Sequence, residues 1–441
     1  MDKKHILFLF FLALLLAGCR QGVGLFDERV DATPTSTSMP LPDLKSSPQG
    51  DTPAPAPTRT PAPTQAPTAT RTVTPARVPT VTPSPSPAAP VETRVVSPAE
   101  AVHLPPGFGV SVFADRLSDP RMMALGPEGM LYVAERGRGR IVRLPDRDGD
   151  GVADGVEVVA DQLRAPSSIA FDANGAMYVG ETTRVLRLSD ADEQGVFHQR
   201  EVIVDGLPSG GHSTRTVLLS PDGEYLYVSV GSSCNVCVES DERRAAIVRY
   251  RPDGSEESLY ARGLRNAVGI TFRPGTGELW ATNNGRDWLG DDQPPETVYR
   301  VREGDDAGWP RCHAGRIEDP DYGRPGACEG VARPEVEMQA HSAPLGLAFY
   351  DGDQFPEAYR GDLFVALHGS WNRTVPTGYK VVRIPMQGAE AGPAQDFASG
   401  WLREDGSNWG RPVDVIAGAE GSLFVSDDGG GAIYRIYYAG E

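Results

Sequence analysis

The chain carries a histidine set among glycines and hydroxyl residues, Gly210-Gly211-His212-Ser213-Thr214-Arg215-Thr216. Imidazole changes charge near neutral pH, and small neighbours permit close approach of a reacting group, so His212 is a candidate general base. The plainer alternative, a histidine capping a strand or packing on a ring, leaves its companions unexplained. Those companions are Arg215, Arg265-Asn266 and Arg411. Guanidinium groups gathered around a base suit an anionic ligand. Further along, Asn283-Asn284-Gly285-Arg286-Asp287 precedes Leu289-Gly290-Asp291-Asp292-Gln293-Pro294-Pro295-Glu296. A glycine turn with several acidic side chains close by suits calcium, a hard cation that takes carboxylate and backbone oxygens; a solvated acidic loop is the alternative. His368-Gly369-Ser370-Trp371-Asn372-Arg373 and Gly378-Tyr379-Lys380 add a ring able to cover a flat ligand and an ammonium able to pair with a carboxylate.

These residues are far apart in sequence, and a repeat supplies the means of bringing them together. Six times the chain runs through a short apolar strand, an acidic-glycine turn, an alternating apolar strand and a run ending in Arg plus an aliphatic or aromatic residue. The copies are Arg121–Tyr132–Leu144, Pro166–Tyr178–Leu188, His212–Tyr227–Tyr250, Asn266–Trp280–Val301, Pro344–Phe364–Ile384 and Arg411–Phe424–Ile436. Turns such as Pro127-Glu128-Gly129, Ala173-Asn174-Gly175 and Pro221-Asp222-Gly223 read as hairpin connections. No long stretch has a period near 3.6, so helix is expected to be scarce. Repeats about 45–80 residues apart with several strands each predict an all-β fold, a six-bladed β-propeller. In a propeller the innermost strands line one channel, so their heads meet around one axis. His212, Arg215, Arg265, Asn266 and Arg411 are therefore expected at a single mouth.

A second calcium signal lies outside that group. Asp146-Arg147-Asp148-Gly149-Asp150-Gly151, followed by Glu157, fits the EF-hand loop pattern of acidic positions and a central glycine. Its flanks read as strands, which predicts an isolated structural loop between the first two blades. Four cysteines form two local pairs, Cys234 with Cys237 and Cys312 with Cys328. Outside the cell such pairs read as disulfides. A redox or zinc role for Cys-x-x-Cys lacks the following helix or the second pair that those sites need.

The N-terminal part reads as targeting and tether. Lys3 and Lys4 precede an apolar run from Ile6 to Leu16, then Leu16-Ala17-Gly18-Cys19, a pattern resembling a lipobox in which Cys19 is lipidated. Residues 20–95 are rich in Pro, Thr, Ser and Ala and predict a disordered stalk able to reach beyond roughly 100 Å from a membrane. Residues 96–441 form the propeller domain. The 441-residue chain has a net charge of −18 and no basic cluster, which argues against nucleic acid as a partner. The location implied is extracytoplasmic, on a lipid anchor.

Taken together, the strings Gly-His-Ser-Thr-Arg-Thr at 211–216, Leu-Arg-Asn at 264–266, Asn-Asn-Gly-Arg-Asp at 283–287 and Gly-Ser-Trp-Asn-Arg at 369–373 carry a resemblance, extended by Gly-Tyr-Lys at 378–380 and Gly-Arg-Pro at 410–412. They resemble the pyrroloquinoline quinone (PQQ)-dependent sugar dehydrogenases, the glucose/sorbosone dehydrogenase family, and look closer to the sorbosone branch. The resemblance implies that His212 takes the proton of a sugar hydroxyl while hydride passes to the quinone, with Arg265 stabilising charge on the quinone oxygens. It implies Arg215, Asn266, Asn284, Trp371, Lys380 and Arg411 around the cofactor, and calcium at Gly285, Arg286 and Asp287. Where glucose dehydrogenases have Gly-Pro in that turn, this chain has Gly285-Arg286. A sugar as substrate and a respiratory-chain carrier or cytochrome as electron acceptor follow from the same resemblance. The competing readings are a calcium-dependent propeller lactonase and a non-catalytic surface-binding propeller; neither accounts for the basic heads.

Overall fold

The computed structural model describes residues 101–440. The expected signal segment, Cys19 and stalk lie outside the described residues. Short strands rich in Val, Ile, Tyr and Phe between glycine turns give six four-stranded antiparallel sheets. Among the described residues there is no α-helix, and the named helical pieces are three-residue 3-10 turns.

Blade 1 comprises Pro120–Leu125, Leu131–Glu135, Arg140–Leu144 and Glu157–Ala160, in that order from the inner strand outward. Blade 2 runs Ser168–Phe171, Met177–Glu181, Arg184–Ala191 and Phe197–Val204, and blade 3 runs Arg215–Leu219, Leu226–Val230, Ala246–Tyr250 and Ser258–Arg262. Blade 4 has Ile270–Phe272, Leu279–Asn283, Glu296–Val301 and Val336–Met338, and blade 5 has Pro344–Phe349, Leu363–Leu367, Lys380–Ile384 and Gln395–Ala398. Blade 6 takes Pro412–Ala417, Leu423–Asp427 and Ala432–Tyr438 from the end of the chain and its outer strand, Phe108–Ala114, from the start. Phe108 pairs with Tyr438 and Val112 with Tyr434, so the first strand closes the ring. The repeat in the sequence did not announce this strand.

Second strands are buried on both faces, because each blade is covered by its two neighbours. The apolar core accordingly has one cluster per blade boundary, and a seventh, of Met122, Val268, Leu345 and Val413, joins the inner-strand segments of four blades. Tyr132, Ile141, Met177 and Leu188 fill that between blades 1 and 2, and Trp280, Val298, Leu363 and Val382 that between blades 4 and 5. Near the axis, hydroxyls stitch one blade to the next: Thr282 Oγ1 donates to the Leu345 carbonyl at 2.7 Å and Ser426 Oγ to the Arg121 carbonyl at 2.9 Å.

A buried polar residue at the end of a second strand fixes the segment leading into the inner strand. Glu135 accepts from the Ser118 N–H and Glu181 from the Arg164 N–H. Asn283 Oδ1 accepts from the Asn266 N–H at 3.1 Å, and Asp427 Oδ1 from the Arg411 N–H at 2.6 Å. The polar heads are thus held by their own blades at one end of the channel.

Candidate active site

His212 is part-buried just before the inner strand of blade 3. Its N–H donates to the Ser232 carbonyl at 3.0 Å, and its Nδ1 lies 3.0 Å from both the Ser232 carbonyl and Oγ. The carbonyl can only accept, and the Ser232 hydroxyl donates to the Cys234 carbonyl at 2.7 Å. The ring proton therefore sits on Nδ1, and Nε2 keeps its lone pair. Burial, helped by the Arg265, Arg215 and Arg244 charges, lowers the His212 pKa to about 4, against the opposing pull of the Ser232 bond. Gly211 has φ of +60°, and a Cβ there would lie 2.5 Å from the Ser232 carbonyl oxygen, so the approach needs glycine. Gly231 brings the site's groups together: its missing Cβ would sit 2.5 Å from Asn266 Oδ1 and 2.6 Å from His212 Cβ.

Arg265 is only 4% exposed and is clamped by Asn235, inside the Cys234–Cys237 loop, together with Asp287. Arg265 Nε donates to the Asn235 carbonyl at 2.9 Å and its Nη2 to Asn235 Oδ1 at 3.0 Å and Asp287 Oδ2 at 3.0 Å. Asn235 also accepts from the Asp287 N–H at 2.7 Å and donates to the Asp287 carbonyl at 3.0 Å. Asn372 of blade 5 donates to the other Asp287 oxygen at 2.7 Å. On the opposite side, Asp428 of blade 6 pairs with Arg121 of blade 1 and lies 2.9 Å from His368 Nε2 of blade 5. Burial opposes ionisation of Asp428, yet His368, Arg121 and Arg411 hold its carboxyl below the usual range. Arg411 reaches the His368 carbonyl at 3.4 Å. Arg136 of blade 1 donates to Ser213, beside His212, at 3.1 Å. Contacts from blades 1, 3, 4, 5 and 6 thus surround one mouth.

Some expected groups have other partners. Arg215 is fully buried and donates to the His212 carbonyl at 2.9 Å and the Thr214 carbonyl at 2.7 Å, so it braces the histidine loop from behind. Burial and Arg244 lower its pKa to about 10. Asn284 donates to the Pro344 carbonyl at 2.6 Å and joins blades 4 and 5. Arg286 pairs with Asp319 and Asp321 and points into the loop closed by the Cys312–Cys328 disulfide. Lys380 starts the third strand of blade 5, well out from the inner strand, where its Nζ meets Asp396 at 2.5 Å. It lines a cavity of about 1320 Å³ with His103, Asp115 and Trp409, apart from the heads it was expected to join. Trp371 is exposed at the mouth. Arg121, Arg136, Asp428 and Asn235 were not expected at the site, and His368 was noted only within its string, although Arg121 occupies the head of the first repeat as Arg411 does the last.

The turn at Gly285 holds a buried acid. Burial pushes Glu296 up to about 7, although it accepts from the Gly285 N–H at 2.7 Å and feels Arg265. The carbonyls of Gly285 and Arg286 accept no hydrogen bond among the described residues, and the buried Asn372 Oδ1 has no partner, which leaves oxygens for a cation. Arg121 Nε is likewise buried and unpartnered beside the mouth, and with Arg136, Arg265 and Arg411 it fits a planar, polyanionic cofactor. In the second acidic loop Asp146, Asp148 and Asp150 cluster, with oxygens within 4.8 Å of one another. Glu157 does not join them: it pairs with Arg143 at 2.5 Å and Arg147 at 2.6 Å on the outer strand of blade 1.

Known proteins share this architecture. A PQQ-dependent pyranose dehydrogenase of Coprinopsis cinerea is 28% identical over 75% of this chain and 54% of its own length. The chain spans only 54% and 61% of the lengths of the curated relatives first matched. The holo form of the PQQ domain of the Coprinopsis cinerea pyranose dehydrogenase superposes with a TM-score of 0.67 at 24% identity, covering 76% of this chain and 97% of that one. The calcium structure of a Trichoderma reesei carbohydrate-active enzyme of family AA12 gives a TM-score of 0.67 at 21% identity over 79% and 99% of the two chains. These likenesses agree with the resemblance carried by the motifs; the sorbosone branch is not singled out. Residues 97–433 match the family described as a domain of unknown function, DUF7133, and the chain belongs to that family.

Proposed function

We propose that the protein is an exported, lipid-anchored quinoprotein dehydrogenase that oxidises a CH–OH group of a sugar using PQQ and calcium. One observation carries the reading: a neutral histidine with a free Nε2 stands in a mouth ringed by Arg121, Arg136, Arg265 and Arg411. When bound, the quinone would supply the two-electron acceptor for the hydride lost by the sugar carbon. His212 Nε2 accepts the hydroxyl proton as that carbon is oxidised. Arg265, fixed by Asn235 and Asp287, presents positive charge where negative charge grows, with no reorganisation required. Arg121 and Arg411 would hold the cofactor's carboxylates. The carbonyl oxygens of Gly285 and Arg286 would hold calcium, which would supply Lewis-acid polarisation there. Electrons leave to a respiratory-chain carrier or cytochrome.

The test is dye reduction by purified protein supplied with PQQ, calcium and a panel of aldoses. Activity is expected to need all three and to fall 100-fold or more in His212→Ala. Absence of any spectral change or thermal stabilisation on adding PQQ would sink the reading. A calcium-dependent rise in melting temperature that survives Asp148→Asn but not Glu296→Gln would place the effective ion at the Gly285 turn.

A further inference from the structure

Of the six tryptophans, Trp280, Trp309 and Trp401 are buried and Trp409 is half-buried, while Trp288 and Trp371 are 68% and 67% exposed. These two form an edge-to-face pair with centroids 5.2 Å apart and planes at 86°. Trp288 follows Asp287, the partner of Arg265, and Trp371 precedes Asn372, which also holds Asp287. Their loops come from blades 4 and 5 and are pinned to each other. Thr374 N–H donates to Asp291 at 3.1 Å, Arg373 pairs with Asp292 at 3.1 Å, and His341 donates to the Gly290 carbonyl at 2.8 Å. Trp288 also has φ of +72°, a conformation unfavourable for a bulky side chain. Backbone strain of this kind clusters at active sites and ligand clamps.

We propose that Trp288 and Trp371 form the outer platform for a neutral oligosaccharide, whose terminal unit reaches inward to His212. The proposal rests on the sugar-oxidising reading and narrows its substrate class. An L-shaped pair of indoles offers a face and an edge to the apolar CH surface of a pyranose ring. Asp291 and Asp292 on the adjoining loop supply acceptors for its hydroxyls and, with a net charge of −18, disfavour an acidic glycan. The rings stand at the solvent boundary, whereas Arg265 is 4% exposed, so the platform lies outward of the site and leaves room for further sugar units. Two rings are also far short of the roughly 1,200 Å² that a stable protein interface buries.

Binding of cellohexaose, maltohexaose and glucose to the full-length protein, by calorimetry and tryptophan fluorescence without PQQ, tests this. At least one hexasaccharide should bind at least tenfold more tightly than glucose. Trp288→Ala should remove that advantage and leave glucose binding unchanged, and Trp288→Tyr should recover most of it. Trp288→Gly should lose the same affinity while its melting temperature stays level or rises, since glycine relieves the backbone; a merely structural tryptophan would lower it. The platform is refuted if neither hexasaccharide outbinds glucose, or if Trp288→Ala binds like the parent. Trp288-dependent hexasaccharide binding without PQQ-dependent dye reduction would keep the platform and discard the oxidation; dye reduction with glucose and no hexasaccharide preference would do the reverse.

Discussion

Ser232 settles the protonation of His212 by geometry: one acceptor has no proton to give, and the other has spent its own on Cys234. A base in that tautomer is ready at Nε2 without rearrangement. Its pKa of about 4, below the usual 6.5, keeps the ring neutral through the range where most histidines charge. NMR titration of the cofactor-free protein should show no protonation of His212 between pH 5 and 8; a midpoint near 6.5 would contradict the site as described. The sign for stability follows. The unfolded chain takes up the proton first as pH falls below 6.5, so this residue's contribution weakens folding progressively towards pH 4. His212→Gln should lose less stability over that window in urea titrations. His212, Arg265, Asn266 and Arg411 were legible because they head repeats. Asn235 was not, since its role depends on a loop folding back across blade 3, and neither period nor spacing encodes that.

At the scale of elements, the Ser232–Cys237 segment does two tasks: it orients His212 through Ser232 and Cys234 and clamps Arg265 through Asn235. Asn235→Ala is expected to lower kcat more than tenfold with little change in KM, because Arg265 acts on charge that develops in the transition state. The disulfide closes a loop of sequence separation 3, which restrains little chain. Cys234→Ser with Cys237→Ser should therefore cut activity several-fold while shifting the thermal midpoint only slightly; an unchanged kcat would show that the loop holds itself. Lys380 marks the limit of reading elements from sequence. It was expected among the polar heads, but it begins a third strand, outward of the inner one. Strand ends can be counted along a chain, whereas radius requires the sheet order. The Asp146 loop failed in a similar way at Glu157, where pairing with Arg143 across two strands took precedence over a linear pattern.

For the whole molecule, the aromatic repeat was a reliable guide because blade-to-blade burial demands it at Tyr132, Tyr178, Tyr227, Trp280, Phe364 and Phe424. The closing strand was illegible: Phe108–Ala114 belongs to a blade whose other strands lie at the far end of the chain. Phe108 there meets Phe355, Tyr359, Phe397 and Tyr438 with centroids 4.8–5.2 Å away. Phe108→Ala should cost about 3 kcal/mol and lower the melting temperature by several degrees. A change under one degree would mean the ring holds without that strand.

That closure also sets an order of events. During synthesis Phe108–Ala114 is made before any blade it could join, and its partner, Ala432–Tyr438, follows the other five blades. Until then an apolar edge waits unpaired, and contacts of such long sequence separation form slowly. The ring therefore cannot close until both strands have been made, so the interval between their synthesis is when the nascent domain is most exposed to aggregation.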